Sequence, residues 1–161
     1  MHPNAIHPNT QRVIAAGQGL GLAVSVRTFP EGTKTAADAA AAIGVEVGQI
    51  VKSLVFTIDD APVIALVSGA NQLDERRLAA EAGGANCRRA DADLVRLATG
   101  YPIGGVPPFG HAQPLRVYVD RDLLDYEEVW AAAGTWNDVF PIDPDALVRA
   151  TEATVADLRR E

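Results

Sequence analysis

Lysine is nearly missing from this chain. Of its 14 basic residues 12 are Arg, and the only lysines are Lys34 and Lys52. Surface positive charge is therefore built from guanidinium, and a lysine marks a place that calls for a compact ammonium on a flexible stem. Cysteine is as scarce: a lone Cys87 excludes an internal disulfide and fits a reducing compartment. His2, His7 and His111 with one cysteine give no zinc spacing, so no metal is expected. No apolar run approaches the roughly 18 residues of a membrane span. The start, Met1 to Pro8, lacks the basic and apolar regions of a secretory signal. A cytoplasmic protein without membrane contact is the expectation. No nucleotide loop is present either. Gly17-Gln18-Gly19-Leu20-Gly21 precedes a strand instead of joining strand to helix, and there is no P-loop. Ser53 and Ser68 lack an elbow motif, which argues against a serine hydrolase. No cofactor is implied.

What is present is enough for one core. At 161 residues and 48% apolar content, the chain reads as one domain, residues 1–161, with residues 1–9 a loose lead-in. Aromatics make up only 6%, so packing falls to alanine and branched aliphatics. A net charge of −7 excludes a protein that coats DNA by bulk electrostatics. The charge is uneven, however. Residues 1–55 carry four basic against three acidic groups, whereas residues 120–161 carry four against eleven. An anionic ligand should approach the N-terminal half.

The pattern predicts a helix capped by Thr10 and a strand over Ala23–Phe29. A helix from Ala36 to Ile43 follows, capped by Thr35 and stopped at Gly44. Ile50–Ile58 and Pro62–Val67 read as a hairpin. Helices follow over Leu73–Ala82 and after Asp91, then a strand over Leu115–Val119. Helix is expected over Leu123–Ala133, strand over Val139–Ile142, and one or two closing helices from Pro144 to about Arg160. The fold class is α+β: a mixed sheet with helices around it.

Two segments stand out. Lys52 sits in an apolar strand, where it either carries function or guards a solvated edge. Residues 100–111 hold four glycines and three prolines. Such a stiff loop either turns sharp corners or presents backbone N–H groups to a ligand, for instance to a developing oxyanion. His111, at its end, is a candidate to bind or position a substrate.

Taken together, these segments resemble a known family. Val51-Lys52-Ser53-Leu54 looks like the lysine strand of the YbaK/prolyl-tRNA synthetase-associated domain family. Gly104-Gly105-Val106-Pro107-Pro108 looks like its G-x-x-x-P loop. The helix from Asp74 after Ser68-Gly69, and the stretch Val139 to Leu147, fit the same order of elements. The resemblance implies a mixed sheet curled towards a barrel. It also implies hydrolysis of the ester of a mischarged aminoacyl-tRNA, by a free-standing editing enzyme that serves translation fidelity. The amino acid would be small (Cys, Ala or Ser), on tRNA-Pro for instance. Lys52 would hold the terminal adenosine phosphate or the aminoacyl end, and N–H groups of Gly104, Gly105 and Val106 would meet the oxyanion. Ser53, Pro108, Phe109, His111 and Asn137 would contact substrate. Ser53 stands where some alanine-removing relatives carry Asn, and Asn137 stands where a histidine would offer proton transfer. The implied partners are the tRNA 3′ end and a tRNA synthetase. The alternative is a module that binds a nucleotide, an aminoacyl group or a synthetase without hydrolysis.

Overall fold

The computed structural model describes residues 6–161. The lead-in expected over residues 1–9 lies partly outside that range. From Pro8 onward the chain is already helical, because the His7 side chain caps α1 (Pro8–Gly19) and Pro8 is tolerated in a first helical turn. The caps of α2 (Ala36–Ile43) are those expected: Thr35 accepts from the Asp38 N–H, and Gly44 takes the left-handed conformation.

The core of the fold is the hairpin of β2 (Val51–Ile58) and β3 (Ala61–Ser68), paired in register from Val51↔Ser68 to Ile58↔Ala61. Asp59 and Asp60 both adopt positive φ, 49° and 71°, the geometry of a tight two-residue hairpin turn. Around it stand β4 (Cys87–Arg89), β5 (Arg116–Asp120) and β8 (Thr154–Ala156), in the order β4-β2-β3-β5-β8. β5 runs parallel to both β3 and β8. A second, antiparallel sheet is ordered β1-β7-β6, from β1 (Arg27–Thr28), β6 (Val129–Ala132) and β7 (Asp138–Ile142). The expected α+β architecture with mixed pairing is present. Its strands divide into two sheets, joined outside the named strands by the bridge Ile50↔Trp130.

The large sheet is buried on both faces, which explains the unbroken apolar run of β3. One face packs Val51, Val55, Ile64 and Leu66 against Ala131 and Phe140 of the small sheet. The other packs Phe56, Val63 and Tyr118 against Leu78 and Ala79 of α3 (Glu75–Ala82). α4 (Ala92–Thr99) and α5 (Pro144–Thr151) complete the helices.

Four expectations are corrected. Thr10 does not cap α1 but lies inside it, its hydroxyl donating to Ala133 O. Residues 123–133 are not a helix: a short 3-10 turn over Arg121–Asp125 gives way to β6. Pairing with β7 and burial of Val129, Trp130 and Ala131 override the helical preference of the alanines. The closing helix ends at Thr151, and β-branched Thr154 and Val155 join the sheet as β8. Of Ala23–Phe29, only Arg27 and Thr28 pair, at the edge of β7.

Candidate functional site

β4 pairs only with Phe56–Ile58 of β2, so that edge of β2 is open from Val51 to Leu54. Ala90 N–H donates to Val55 O and Asp59 N–H to Asn86 O. Odd-numbered residues of β2 thus turn their backbone groups to this edge, and by the same alternation so does Ser53. A cavity of about 300 Å³ lies along the opening. It takes side chains from β2, β6, α2 and the glycine loop.

Both lysines line this one cavity, together with Arg89, and among the described residues no carboxylate or imidazole does. The site is cationic in an acidic protein. Lys52 is half-buried, and its ammonium donates to the Asn71 carbonyl. Burial lowers its pKa from the ordinary 10.5, Arg89 lowers it further, and Asp120 opposes the shift. Asn71 is itself held: its amide donates to Asp120 at 2.9 Å and Asp122 at 2.8 Å. Lys52 shares its face of β2 with Leu54 and Phe56, and with them lines a second hollow beside Gln72, Glu75 and Arg160. Ser53 shares the inner face with Val51 and Val55.

The glycine loop meets the cavity at Ile103, Gly104 and Val106. Gly104 has φ +88°, and a Cβ there would stand 3.1 Å from both the Lys34 stem and the Trp136 ring. Trp136 is clasped from two sides: its Nε1 donates to Ile103 O at 2.7 Å, and the Lys34 ammonium lies 4.0 Å from its ring centroid. The Gly105 N–H donates to Pro102 O at 2.9 Å and is therefore occupied. Among the described residues, the N–H groups of Gly104 and Val106 donate to no acceptor.

The remaining candidates lie elsewhere. Pro108, Phe109 and His111 line a separate hollow beside Leu20 and Thr151. Phe109 is buried against Phe140, ring centroids 5.7 Å apart. His111 lies 2.7 Å from Pro107 O through Nε2, and burial lowers its pKa despite that hydrogen bond. Asn137 does not line the Lys52 cavity; its amide donates to Phe29 O at 2.9 Å. Burial, with a lesser push from Glu75, moves the Cys87 thiol up to about 11, away from nucleophilic use.

The lysine strand and the glycine loop, some fifty residues apart in sequence, thus converge on one cavity. Residues 30–150 match the family model described as an aminoacyl-tRNA editing domain. The chain belongs to the aminoacyl-tRNA editing domain family. Aminoacyl-tRNA deacylase activity goes with that membership. A crystal structure of "a putative trans-editing enzyme for prolyl tRNA synthetase" superposes with a TM-score of 0.92 at 46% identity, covering 98% of this chain and 100% of the other. A Geobacter proline–tRNA ligase (strain M21) is 39% identical over 57% of the chain, which spans 16% of that enzyme's length. The "Putative Cys-tRNA(Pro)/Cys-tRNA(Cys) deacylase EbsC" of Enterococcus faecalis is 27% identical over 77% of the chain and 76% of its own length.

Sequence reasoning singled out Lys52 but passed over Lys34, Arg89, Trp130 and Trp136. The rarity that marked Lys52 marked Lys34 equally, and both of the chain's tryptophans flank the same place.

Proposed function

We propose that the chain, as a single editing domain, hydrolyses the ester of tRNA mischarged with a small amino acid (Cys, Ala or Ser), with tRNA-Pro as a candidate acceptor. Its place would be the cytoplasm, beside a synthetase. One observation carries the reading: the cavity lined by Lys52, Lys34 and Arg89 is also lined by Gly104 and Val106, whose backbone N–H groups have no acceptor among the described residues.

Each group has a task in ester hydrolysis. Lys52 neutralises the terminal phosphate or grips the aminoacyl end, and its bond to Asn71 O fixes where the ammonium stands. Arg89 and Arg160, in the adjoining hollow, suit the next phosphates of the 3′ end. Water attacks the carbonyl carbon, and the oxygen gains charge as the tetrahedral centre forms. Gly104 and Val106 N–H stabilise that charge. The C–O bond to the ribose then breaks, the ribose oxygen takes one proton of the attacking water, the other passes to solvent, and the amino acid leaves as a carboxylate. With no carboxylate or imidazole among the described residues of the lining, catalysis rests on positioning and electrostatics. The same lack is what the binding-module reading would require.

The test is release of amino acid from tRNAs mischarged with alanine, cysteine or serine, with Lys52→Ala beside the wild type. Lysine-dependent release is the expected result. Folded protein that binds the aminoacyl-tRNA and releases nothing would establish the binding module instead.

A further inference from the structure

The two free N–H groups of the glycine loop belong to peptide units whose other ends are held. The Gly104 N–H shares its peptide with the Ile103 carbonyl, which accepts from Trp136 Nε1 at 2.7 Å. The Val106 N–H shares its peptide with the Gly105 carbonyl, which accepts from the Gly134 N–H at 2.9 Å. Both peptides are trans, and in a planar trans peptide C=O and N–H point opposite ways. The two carbonyls are aimed at one turn, residues 134–136. The two N–H groups therefore point away from that turn, and their residues line the Lys52 cavity. The peptide between them is aimed differently, its Gly105 N–H donating to Pro102 O.

The loop and the turn approach closely. A Cβ on Gly105 would stand 3.0 Å from the Gly134 carbonyl atoms and 3.1 Å from Thr135 N, so only glycine allows the contact without displacing backbone. The turn has anchors of its own. It closes the β6–β7 pairing after Ala132↔Val139, and the Trp136 carbonyl accepts from both the N–H and the hydroxyl of Thr33. Trp136 is 46% exposed. An indole so placed has water within reach, yet its single donor is turned onto the loop. A hydrogen bond to a carbonyl also polarises its peptide and strengthens the N–H at the other end. We infer that Trp136 is a positioning residue for deacylation. Its indole N–H, with the Gly134 N–H beside it, holds the oxyanion donors of Gly104 and Val106 in direction from behind, without touching substrate. This rests on the deacylase reading and adds to it the turn on which the donors depend.

The experiment measures kcat and KM for wild type and Trp136→Phe on a mischarged tRNA that the wild type hydrolyses, with folding followed by circular dichroism. Phenylalanine keeps an aromatic ring beside Lys34 and removes the donor. The variant should lose about tenfold in kcat with KM within about twofold, since loosening an oxyanion donor should cost less than the roughly 100-fold of losing one. Its Gly104 amide proton should also move upfield in the NMR spectrum as the polarisation is lost. An unchanged kcat overturns the inference and leaves the deacylase standing. So does a raised KM at unchanged kcat, which would make Trp136 a substrate contact. Should Trp136→Phe fail to fold, the wild type decides: the Trp136 indole proton should exchange with solvent at least about tenfold more slowly than that of free indole, and exchange at the free rate overturns the inference. No release of any amino acid by folded wild type overturns the deacylase reading itself, and the inference with it.

Discussion

Two polar places in this molecule are built on opposite plans. Around Asp138, buried between α1, β1 and β7, the hydroxyls of Thr28 and Thr135 both donate at 2.5 Å, and Thr10 Oγ1 lies 3.1 Å away. The carboxylate is enclosed by donors and lines none of the three hollows described above. Around Lys52 the plan is reversed: two lysines and an arginine share a cavity, and among the described residues the N–H groups of Gly104 and Val106 and the polar side-chain atoms of Ser53 and Trp130 have no partner. Satisfied networks hold elements together, and unsatisfied ones wait for a ligand. Substitutions at the two places should therefore damage different quantities.

The largest effect should come from Gly104. A methyl group there needs both a positive φ and space 3.1 Å from Lys34 and Trp136. Gly104→Ala should lower kcat/KM for deacylation by about 100-fold, the scale seen when an oxyanion donor is lost. It should cost about 1–2 kcal/mol of stability, measured by urea denaturation. Full activity in this variant would remove the loop from the mechanism. Asp138→Ala should do the converse. It strands the hydroxyls of Thr28 and Thr135, while Thr10 keeps Ala133 O, and should cost about 3 kcal/mol, while deacylation per folded molecule stays within about threefold of wild type. A rate loss as large as that of Gly104→Ala would erase the distinction between the two places.

The satisfied plan was largely legible in the sequence, and the unsatisfied one only in part. Thr35, Gly44 and Asp91 announce their caps locally, because a cap is a contact over three or four residues. The β2–β3 hairpin is equally local. Lys52 was legible through rarity and its apolar setting. Nothing local, however, tells which side of a stiff loop faces a ligand: Gly104 and Val106 open on the Lys52 cavity, but Pro108 and His111 open on another hollow. β6 was misread because Ala131, Ala132 and Ala133 favour helix in isolation, and only pairing with β7 reverses that preference. The cavity wall at Trp130 was lost with it. Trp136 is brought to Gly104 by the return of the chain after β6, a contact no spacing in the sequence encodes.

Asn71 lies between the two plans and should give an intermediate effect. Its amide belongs to the satisfied Asp120–Asp122 network, and its carbonyl holds the Lys52 ammonium. Asn71→Ala leaves the carbonyl but frees the turn that aims it. Deacylation should fall by about tenfold, with KM rising more than kcat falls if Lys52 acts mainly in binding. Stability should drop by about 1 kcal/mol. A loss confined to stability would assign Asn71 to the scaffold alone.

The smallest effect is the sharpest, because its sign is fixed by the site. Burial holds the folded pKa of Lys52 below the 10.5 of the unfolded chain. Between those two values the unfolded chain binds the extra proton, so this lysine's contribution to stability rises with pH across that window. Below the folded pKa its charged ammonium is a net cost to the fold. Lys52→Met removes that cost at neutral pH. It should raise Tm by up to about 3 °C, a sign opposite to that of Asp138→Ala. In the wild type, activity that needs the ammonium should fall as pH rises through the folded pKa. The alkaline limb of kcat/KM, corrected for spontaneous ester hydrolysis, should therefore lie below 10.5. A limb at or above 10.5, or a Tm lowered by Lys52→Met, would mean that the lysine is held as a structural cation. The contrast between the two places would then fail at its central residue.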